Sequence, residues 1–584
     1  MILPIVRRDV EATPLAPHLH PVLNRIYRGR NVHSIDELEH SLKGLTHFNQ
    51  LKGMHQAATL LAETVVSGKR LIIVGDFDAD GATSTSLCML ALRMMGFDNV
   101  DYLVPNRFDF GYGLSVPIVD VAKQQGAETI MTVDNGIACV EGVAHAKSLG
   151  ISVLVTDHHL PGDTLPNADA MVNPNQPGCH FPSKNLAGVG VAFYIMLALK
   201  SQLQQQGWFD SQRLPAPNLA SLLDIVAVGT VADVVPLDKH NRILVHQGLQ
   251  RIRAGQCRPG IRALIDVANR DSAHLTSTDL GFVIGPRLNA AGRLDDMSQG
   301  IACLMEEDAM QARMIAAELD ALNRERREIE TGMKAQAEQV LEKLNVNEGN
   351  IPAALVIYQA DFHQGVIGIV AGRLKEKYLK PVIAFAHQDD DVIKGSARSI
   401  PGIHIRDVLD EVNTKYPQVI SKFGGHAMAA GLSLPLKNLE AFQQAFVEIT
   451  QLHMSKLEGH QVLLSDGALS KDELSLSFAH VLRQAGPFGQ GFESPLFDGH
   501  FTVVSQRLVG EKHLKLVLRD ESVGEIDAIA FNVDLKAWPN ASVSRVHIAY
   551  RLDVNVFRGQ ESVQLIVEQI SEPESTRAEN ATNR

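Results

Sequence analysis

The sequence predicts an α/β protein with a parallel sheet, a second and smaller α/β domain, and an all-β domain at the end. Three observations predict this order. Between about residues 70 and 156, short continuous apolar runs alternate with helix-like segments, which is typical of βαβ units. Residues 306–344 are rich in strong helix formers. From about residue 461, short strand-like segments recur, which is typical of a sandwich or a barrel.

The first domain is predicted from apolar runs that suit strands buried on both faces. Helix-like segments follow these runs, and Gly96, Gly126 and Gly150 stand where a glycine commonly ends a helix. Further helices are predicted at 188–206 and 219–231. Residues 1–45 form a mixed lead-in in which only a short helical cap is expected. The predicted strands are 70–74, 100–104, 129–133 and 152–156, and the predicted helices between them are 82–95, 115–125 and 137–149.

The helix-forming stretch at 306–344 contains no proline and one glycine. A continuous helix of that length would span nearly 60 Å, since each residue adds about 1.5 Å. We therefore expect a connector between two domains. Beyond it, a strand at 353–358, a helix at 365–378, a strand at 381–386 and a glycine-rich turn at 423–431 predict the second α/β unit. The last dozen residues have the composition of a disordered tail.

Composition excludes several classes of protein. No run approaches the ~18 uncharged apolar residues of a membrane helix, and the first residues lack the pattern of a signal peptide, so we expect a soluble intracellular chain. The five cysteines form no CxxC pair, which argues against a disulfide framework, a zinc finger and an iron–sulfur cluster. The net charge of −13 means that any bound nucleic acid must meet a local basic channel.

The most informative segment is GDFDADG, in which Asp76, Asp78 and Asp80 follow a predicted strand. Three carboxylates in five residues repel one another unless a cation lies between them. The same letters open an EF-hand loop, but that loop needs a glutamate where this chain has Leu87, and it needs a preceding helix. A solvated acidic turn is the remaining alternative.

Acidic and imidazole groups also follow the next strands. Asp134 ends one strand, and Asp157, His158 and His159 end the next; Asp233 lies further on. Because the carboxyl ends of parallel strands meet at one edge of a sheet, these side chains should converge in one crevice. Carboxylates with imidazole and no thiolate favour Mn²⁺ or Mg²⁺. Their number favours two ions, an arrangement suited to phosphoryl displacement.

At these residues the sequence resembles the DHH phosphoesterase superfamily, and in particular its bacterial single-stranded-DNA-specific exonucleases. The motifs GDFDADGATS, VDNGI, TDHH, GTVADVVPL, GPRLNAAGR, KGSARS and FGGHAMAAG occur in this order, and the resemblance covers roughly 45–570. It implies a DHH domain, a DHH-associated substrate-binding domain and an OB-fold. The expected limits are 1–45 for the lead-in, 46–305 for the DHH domain, 306–345 for the connector, 346–458 for the associated domain, 459–572 for the OB-fold and 573–584 for the tail.

The resemblance also implies the roles of the acidic and imidazole groups. His159 and Asp157 would be catalytic, with His159 orienting a phosphate or protonating the leaving oxygen. One departure is Val74, which stands where many superfamily members have a histidine. Asp224 could be a further ligand or a helix-cap carboxylate. The residues implied to hold the two ions are Asp76, Asp78, Asp80, Asp134, His158 and Asp233.

Substrate-binding groups are expected in three places. The first place is a set of arginines, glycines, a serine and a histidine that would bind a DNA phosphate, although each arginine could instead form a structural salt bridge. The loop at 105–115 would stack bases or pack on the core, and lysines of the β domain would line a DNA channel or only aid solubility. The first set is Arg287, Arg293, Ser396, Arg398, Gly424, Gly425 and His426; the loop offers Arg107, Phe108 and Tyr112; the lysines are Lys512 and Lys515.

The resemblance implies a 5′→3′ exonuclease that degrades single-stranded DNA to mononucleotides by two-metal hydrolysis, in recombination and in mismatch and base-excision repair. It implies single-stranded-DNA-binding protein and a RecQ-type helicase as partners, a monomer, and work in the cytoplasm at the nucleoid, away from membranes. A DHH-type oligoribonuclease or cyclic-dinucleotide phosphodiesterase is one alternative. A non-catalytic single-stranded-DNA-binding scaffold is another, and the intact aspartates and histidines argue against it.

Overall fold

The computed structural model describes residues 2–11, 13–105, 113–343, 351–389, 391–455, 462–520, 524–535 and 537–571. The chain forms two compact units. One unit contains Ile2–Asp320 together with the chain from Val462 onward, and the other contains Ala321–Gln461. Within the described residues, no helix is both long and apolar enough to cross a bilayer.

The larger unit is built on a five-stranded sheet in which every neighbouring pair of strands is parallel. Its central strands are buried on both faces; Ile72, Ile130 and Val153 are fully buried. This confirms the parallel sheet predicted from continuous apolar runs, because strands covered by helices on both sides need no polar face. In spatial order the strands are Val100–Leu103, Leu71–Val74, Thr129–Thr132, Ser152–Thr156 and Ala170–Val172.

Helices surround this sheet and extend the unit. Gly96, Gly126 and Gly150 have φ angles of 82°, 83° and 74°, so glycines end these helices in the left-handed conformation, as predicted. The helices of this unit, with a π-turn at Leu280–Ile284, are Pro21–Arg28, Met54–Val66, Ala79–Met94, Val116–Gln124, Val140–Ser148, Gly188–Gln205, Trp208–Gln212, Leu223–Ala232, Lys239–Arg253, Pro259–Val267, Ser277–Asp279, Gly285–Leu294, Ser298–Met305 and Leu476–Gln484.

The last part of the larger unit is a closed five-stranded barrel. Its neighbouring strands pair antiparallel, except that Gly524–Ala530 pairs in parallel with the last strand. Closure leaves no free sheet edge, and five strands in this order form an OB-fold. Of the two predicted all-β architectures, sandwich and barrel, the structure therefore shows the barrel. Its strands are Phe497–Val509, His513–Asp520, Gly524–Ala530, Arg545–Phe557 and Gln560–Ser571.

The N-terminal segment does more than the predicted helical cap. A helix forms at Pro21–Arg28, but the strand Ile5–Arg7 also pairs in parallel with Leu463–Ser465, which precedes the barrel. The guanidinium of Arg30 forms a buried ion pair with Asp466, at 2.8 Å from Nη1 to Oδ1. The first residues therefore hold the start of the barrel, a contact between distant parts of the chain that local sequence patterns do not show.

The connector is a single helix of 35 residues, Ala309–Lys343. It is slightly shorter than predicted and is about 52 Å long. It starts in the larger unit and continues into the smaller one, so the two units share one continuous helix, as the absence of proline indicated.

The smaller unit has a mixed five-stranded sheet. Leu355–Tyr358 and Val382–Asp389 are parallel, and the other neighbours are antiparallel. The core between sheet and helices includes the fully buried Phe385, Phe442 and Phe446. In spatial order the strands are Lys422–Gly425, Ala429–Pro435, Val392–Arg398, Val382–Asp389 and Leu355–Tyr358. The remaining helices are Ile367–Tyr378, Ile405–Lys415 and Leu439–Ser455.

Candidate metal centre and phosphate site

Acidic side chains converge at the carboxyl edge of the parallel sheet. The segment Asp76–Asp80 follows Leu71–Val74, and Asp134 follows Thr129–Thr132. Asp157–His159 follows Ser152–Thr156, the next strand in the sheet. All these strands are parallel, so their carboxyl ends share one edge, which is where such sheets bind ligands.

His158 lies at the centre of this cluster. Its Nε2 is 3.0 Å from Oδ1 of Asp134, 3.4 Å from Oδ2 of Asp233 and 3.8 Å from Oδ2 of Asp80. Asp233 arrives from the end of the helix Leu223–Ala232 rather than from a strand. The structure thus brings together the six residues that sequence analysis expected to hold metal.

Three overlapping groups in this cluster have ligand atoms within 4.8 Å of one another. Two of the groups share His158 and two share Asp134, so together they could serve two neighbouring ions. The donors are carboxylate oxygens and imidazole nitrogens with no thiolate, the set that suits Mn²⁺ and Mg²⁺. The groups are Asp134, His158 and His159; Asp80, His158 and Asp233; and Asp76, Asp78 and Asp134.

Asp80 is held by the amino end of a helix far away in sequence. Its two carboxylate oxygens accept hydrogen bonds from the backbone N–H groups of Gly188, at 2.6 Å, and Val189, at 2.9 Å. These are the first residues of Gly188–Gln205, whose amino end carries positive partial charge. Sequence analysis missed this support because it pairs residues more than a hundred positions apart.

Asn289 is a second residue that sequence analysis missed. Its Oδ1 accepts a hydrogen bond from the backbone N–H of Ala79, at 2.9 Å. Ala79 lies between Asp78 and Asp80, so Asn289 fixes the backbone that carries both carboxylates. Asn289 lies in the motif GPRLNAAGR between Arg287 and Arg293, and its amide was the available signal.

Burial and mutual repulsion raise the pKa values of several of these carboxyl groups. Burial, followed by the charges of Asp80, Asp78 and Asp233, raises the pKa of Asp134 well above its usual value. Burial and the charge of Asp78 raise the pKa of Asp80 to about 7. Such groups gain most from a bound cation, because it relieves the repulsion that disfavours their charged form.

His159 has the opposite electrostatic balance. Burial would lower its pKa, but the hydrogen bond to Asp157, at 2.7 Å from Nδ1 to Oδ1, and nearby carboxylates raise its pKa to about 9. Asp157 is itself fixed by the backbone N–H of Ile137, at 2.9 Å to Oδ2. The pair therefore holds a protonated imidazole at neutral pH, with Nδ1 occupied by Asp157.

We expect Mn²⁺ to raise the melting temperature of the metal-free protein. The ion binds only the folded cluster, and at a free concentration of 100 times Kd one site adds about 2.7 kcal/mol to the free energy of unfolding. The measurement is a thermal melt of chelator-treated protein across a Mn²⁺ titration, with Mg²⁺ as a second series. A melting temperature that stays constant across both titrations would contradict a metal centre.

The same experiment should depend on pH. The raised pKa of Asp80, about 7 against 3.8, means that the folded metal-free state binds more protons than the unfolded state in that window. Its stability therefore falls as pH rises through the window, and the gain on adding Mn²⁺ should be larger at pH 8 than at pH 6.

The smaller unit contains a separate cluster suited to phosphate. Nη1 of Arg398 donates to Oγ of Ser396, at 3.0 Å, and burial lowers the pKa of Arg398. Both side chains lie against Gly368, where an added Cβ would be 2.7 Å from Nη2 of Arg398 and 2.9 Å from Oγ of Ser396. Gly368 is in the first turn of Ile367–Tyr378, so a guanidinium, a hydroxyl and a helix amino end meet here, as in anion sites.

The glycine-rich hairpin lies beside this cluster. Ala429 pairs with Arg398 in the sheet, and the backbone N–H of Ser399 donates to the carbonyl of Met428, at 2.9 Å. The predicted phosphate-binding residues Gly424, Gly425 and His426 form the strand end and turn of this hairpin. Gly425 has a φ of 146°, and an added Cβ would lie 2.4 Å from the carbonyl of Ala429, so only glycine fits.

Other predicted site residues have structural partners. Arg287 donates from Nε to Asp320, at 2.9 Å, and from Nη1 to the carbonyl of Val283, at 2.6 Å, which favours the salt-bridge alternative. Buried Asp224 accepts from the backbone N–H of Arg258, at 2.7 Å. It lies at the end of its helix opposite to Asp233 and outside the three ligand groups of the described residues, which favours the structural alternative.

The remaining predictions divide by what the structure describes. Arg293 lies half-buried in the last turn of Gly285–Leu294 and stays a predicted phosphate contact. Lys515 forms an ion pair with Asp527, at 3.0 Å, whereas Lys512 is exposed in the preceding turn. The predicted stacking residues Arg107, Phe108 and Tyr112, and the predicted tail at 573–584, lie outside the described residues.

Comparison with known proteins identifies the family. The DHH family N-terminal domain matches residues 70–230, the DHHA1 domain matches 351–451 and the RecJ OB domain matches 465–569. The single-stranded-DNA-specific exonuclease RecJ of Escherichia coli strain K12 is 56% identical over 97% of this chain and 98% of its own length. The chain belongs to the RecJ family. The relative of the same name from Haemophilus influenzae is 50% identical over 94% of this chain and 96% of its own length. The one from Bacillus subtilis is 33% identical over 89% of this chain and 63% of its own length.

A solved member of the RecJ family has the same fold. The crystal structure of RecJ in complex with Mn²⁺ from Thermus thermophilus matches 98% of this chain and 80% of that chain, with a TM-score of 0.79 and 28% identity. A second structure of that protein contains Mg²⁺. Family membership confirms the predicted enzyme class, a single-stranded-DNA-specific exonuclease, and the predicted Mn²⁺ or Mg²⁺. Domain limits beyond the matched ranges stay predictions.

Proposed function

We propose that this chain degrades single-stranded DNA in the 5′→3′ direction and releases mononucleotides by hydrolysis at the cluster around His158 and Asp134. The observation that supports this most is the overlap of three metal-ligand groups at the carboxyl edge of the sheet. A phosphodiester is a poor electrophile with a negatively charged oxygen, and clustered carboxylates repel it. Such a substrate can therefore bind here only if cations lie between it and the carboxylates.

We assign Asp76, Asp78, Asp80, Asp134, His158 and Asp233 to the metal ions. Mn²⁺ or Mg²⁺ held by these residues would supply Lewis acidity and charge neutralisation for the phosphodiester. Asp80 is oriented by the N–H groups of Gly188 and Val189, and the Asp78–Asp80 backbone is fixed by Asn289. These contacts hold the carboxylates in place before substrate binds, which reduces reorganisation during the reaction.

His159 is the proposed source of a proton. Its Nδ1 is bound to Asp157, so Nε2 is the nitrogen that faces a substrate. Despite burial, the hydrogen bond and charge of Asp157 raise the pKa of His159, which favours a protonated ring that can donate from Nε2 to a phosphate oxygen or to the leaving 3′ oxygen. Asp157 acts as a positioning residue, because it fixes the ring and stabilises its charge.

The direction of digestion is assigned to the phosphate cluster of the smaller unit. We propose that Arg398, Ser396 and the hairpin at 424–426 bind the 5′-terminal phosphate of the strand; Arg293, in the larger unit, stays a proposed phosphate contact. A terminal phosphate carries more charge than an internal diester, and a guanidinium binds it in a two-pronged way. The enzyme would then start at a 5′ end and would prefer a phosphate there.

A stacking surface for a base is proposed at Phe282, which sequence analysis did not select. Its side chain is 76% exposed, unusual for phenylalanine. The neighbouring Gly281 packs on Val231, where an added Cβ would be 3.2 Å from Cγ1, two residues before Asp233. An aromatic ring next to the helix that carries a metal ligand can stack an unpaired base, worth about 1–3 kcal/mol.

The cellular setting follows from the substrate and from the family. We propose that the enzyme is a monomer that works in the cytoplasm at the nucleoid, in recombination and in mismatch and base-excision repair. It would receive strands unwound by a RecQ-type helicase and coated by single-stranded-DNA-binding protein. The barrel, with exposed Lys512, is the proposed surface for the strand.

A digestion time course tests the proposed activity. The substrates are a 5′-phosphorylated single strand labelled at its 3′ end, a blunt duplex and a matched RNA, each with Mn²⁺, Mg²⁺ or EDTA. We expect metal-dependent shortening of the DNA single strand from its 5′ end. Binding without cleavage in both metals would favour a scaffold, and cleavage confined to very short RNA would favour an oligoribonuclease.

A further inference from the structure

The larger unit contains a second cleft, separate from the metal centre, between its helical part and its barrel. The cleft has two connected lobes of about 850 Å³ and about 430 Å³. One wall is formed by the end of Lys239–Arg253 and the turn at 271–279, and the other by Leu476–Gln484 and the last barrel strands. His246, Arg253 and Arg483 line both lobes.

The described lining of this cleft contains none of the proposed metal ligands. Gly248 packs on the first turn of Leu223–Ala232, where an added Cβ would be 2.2 Å from the carbonyl of Leu223. The metal ligand Asp233 follows the other end of that 10-residue helix. The wall of the cleft near Gly248 therefore meets the end of that helix opposite to Asp233.

The smaller lobe has the composition of an anion site. Its described lining carries cationic, imidazole and amide groups, and no carboxylate is among them. A lobe lined in this way presents hydrogen-bond donors and positive potential to a ligand. The lining residues are His246, Gln250, Arg253, Ala273, His274, Thr276, His480, Arg483 and Gln484.

Arg253 is the central cation of this lobe. Its Nε donates to the carbonyl of Leu275, at 2.7 Å, and within the described part of the chain no carboxylate lies within ion-pair distance of its guanidinium. Burial lowers the pKa of Arg253, and the nearby charge of Asp279 partly offsets this. A bound anion would compensate the remaining cost of burying this charge, because a half-buried guanidinium is stabilised by a negatively charged partner.

Three other donors of the lobe pair with carboxylates that line the adjoining larger lobe. Nδ1 of His274 contacts Asp271 at 2.8 Å, Nε2 of His480 contacts Glu561 at 3.0 Å, and Arg483 contacts Asp553 at 2.9 Å from Nη2. Such contacts orient a donor and increase its basicity. Among the residues that the structure describes, no hydrogen bond occupies the second nitrogen of either ring or the Nη1 of Arg483. These contacts favour one orientation of three partly exposed side chains.

The larger lobe extends the site beyond a simple anion. Its size lies within the range of small-molecule sites, and apolar groups such as Phe488 and Phe497 line it. It also carries the carboxylates Asp271, Asp279, Asp553 and Glu561. Aromatic and aliphatic groups can contact a base, and carboxylates can accept hydrogen bonds from sugar hydroxyls or base amino groups. The two lobes together match the parts of a nucleotide.

We propose that this cleft binds a nucleotide through its phosphate group, with the phosphate beside Arg253 in the smaller lobe. The phosphate could belong to a free nucleotide or to a phosphodiester of a single strand, since the two share the chemistry that the lobe recognises. Neither source requires the metal centre or the phosphate cluster at Arg398.

Isothermal titration of metal-free protein tests the proposal. An Arg398→Gln background removes the other proposed phosphate site, and the probes are deoxyadenosine 5′-monophosphate and thymidine oligonucleotides of increasing length with a 5′ hydroxyl. On this background we compare Arg253→Gln, which removes the charge but can still donate to Leu275, with Gln484→Glu. The second variant adds a carboxylate to the lobe with no loss of a known contact. Gln56→Glu, the same change on an exposed helix residue, is the control.

We expect Arg253→Gln and Gln484→Glu each to weaken binding of at least one probe by tenfold or more, and Gln56→Glu to leave it unchanged. Weakening confined to the mononucleotide would identify a free nucleotide as the ligand, and weakening confined to the oligonucleotides would identify the strand. Thermal melts check that each variant folds. Unchanged affinity in Gln484→Glu, or no binding of either probe by the parent, would overturn the proposal.

Discussion

Replacing Asp134 with asparagine is expected to reduce single-strand hydrolysis by about 10³-fold or more, because metal-assisted charge stabilisation is worth several kcal/mol. Asp134 belongs to two of the three ligand groups, and its Oδ1 lies 3.0 Å from Nε2 of His158. Loss of this one charge should therefore weaken both proposed ion sites at once.

The substitution is well suited to isolate chemistry from folding. Asp134 has a φ of 61°, a left-handed conformation that asparagine adopts more readily than most residues. The amide has nearly the same shape, which matters because Gly188 packs closely, with an added Cβ 2.7 Å from Cβ of Asp134. Burial and acidic neighbours raise the pKa of the Asp134 carboxyl group, so its charged form is unfavourable without metal. A neutral amide avoids this repulsion, and the metal-free variant should melt no lower than the parent.

The measurements are kcat in Mn²⁺ on a 5′-phosphorylated single strand and the Kd of the same strand without metal. We expect the Kd to stay close to that of the parent, because the phosphate cluster is elsewhere in the chain. Asp101→Asn is the matched control, since Asp101 is half-exposed and pairs with Arg70. An Asp134→Asn enzyme with more than a tenth of the parental kcat would contradict the assignment.

The parallel sheet and its acidic edge were predictable because the signals are local. A buried strand such as Leu71–Val74 is a continuous apolar run, and an aspartate directly after it must lie at the carboxyl edge. Parallel pairing then brings Asp134 and His158 to the same edge, whatever the details of packing. Each step needs only a short segment of sequence and a rule of sheet geometry.

The contacts that hold the site in place were not predictable in this way. Gly188 and Asp80 are 108 positions apart, and the bond between them depends on how the first turns of two helices pack together. Arg287 illustrates the same limit, because a motif arginine can bind a phosphate or a carboxylate, and only the position of Asp320 decides. The pairing of Ile5–Arg7 with Leu463–Ser465 is still more distant in sequence.

Replacing Gly292 with alanine should be the most damaging change outside the ligands themselves. An added Cβ would lie 1.8 Å from the carbonyl oxygen of Phe77 and 2.9 Å from Cε of Met297. Phe77 stands between Asp76 and Asp78, so the loop with two proposed ligands must move. Alanine normally stabilises a helix by about 1 kcal/mol over glycine, but here overpacking against backbone costs about 1–3 kcal/mol or more.

Gly332→Ala provides the contrast, because Gly332 is exposed in the connector helix and an added Cβ would meet no atom within 4 Å. We expect that variant to keep full activity and to gain up to about 1 kcal/mol. Gly292→Ala should lose activity by about 10²-fold, as a ligand displacement near 1 Å can cause, and should need more Mn²⁺ for half-maximal rate. The Mn²⁺ concentration needed for half-maximal rate distinguishes a displaced metal loop from general destabilisation. Folded Gly292→Ala protein with the parental rate and Mn²⁺ dependence would contradict the prediction, because it would show that Phe77 can move without displacing Asp76 and Asp78.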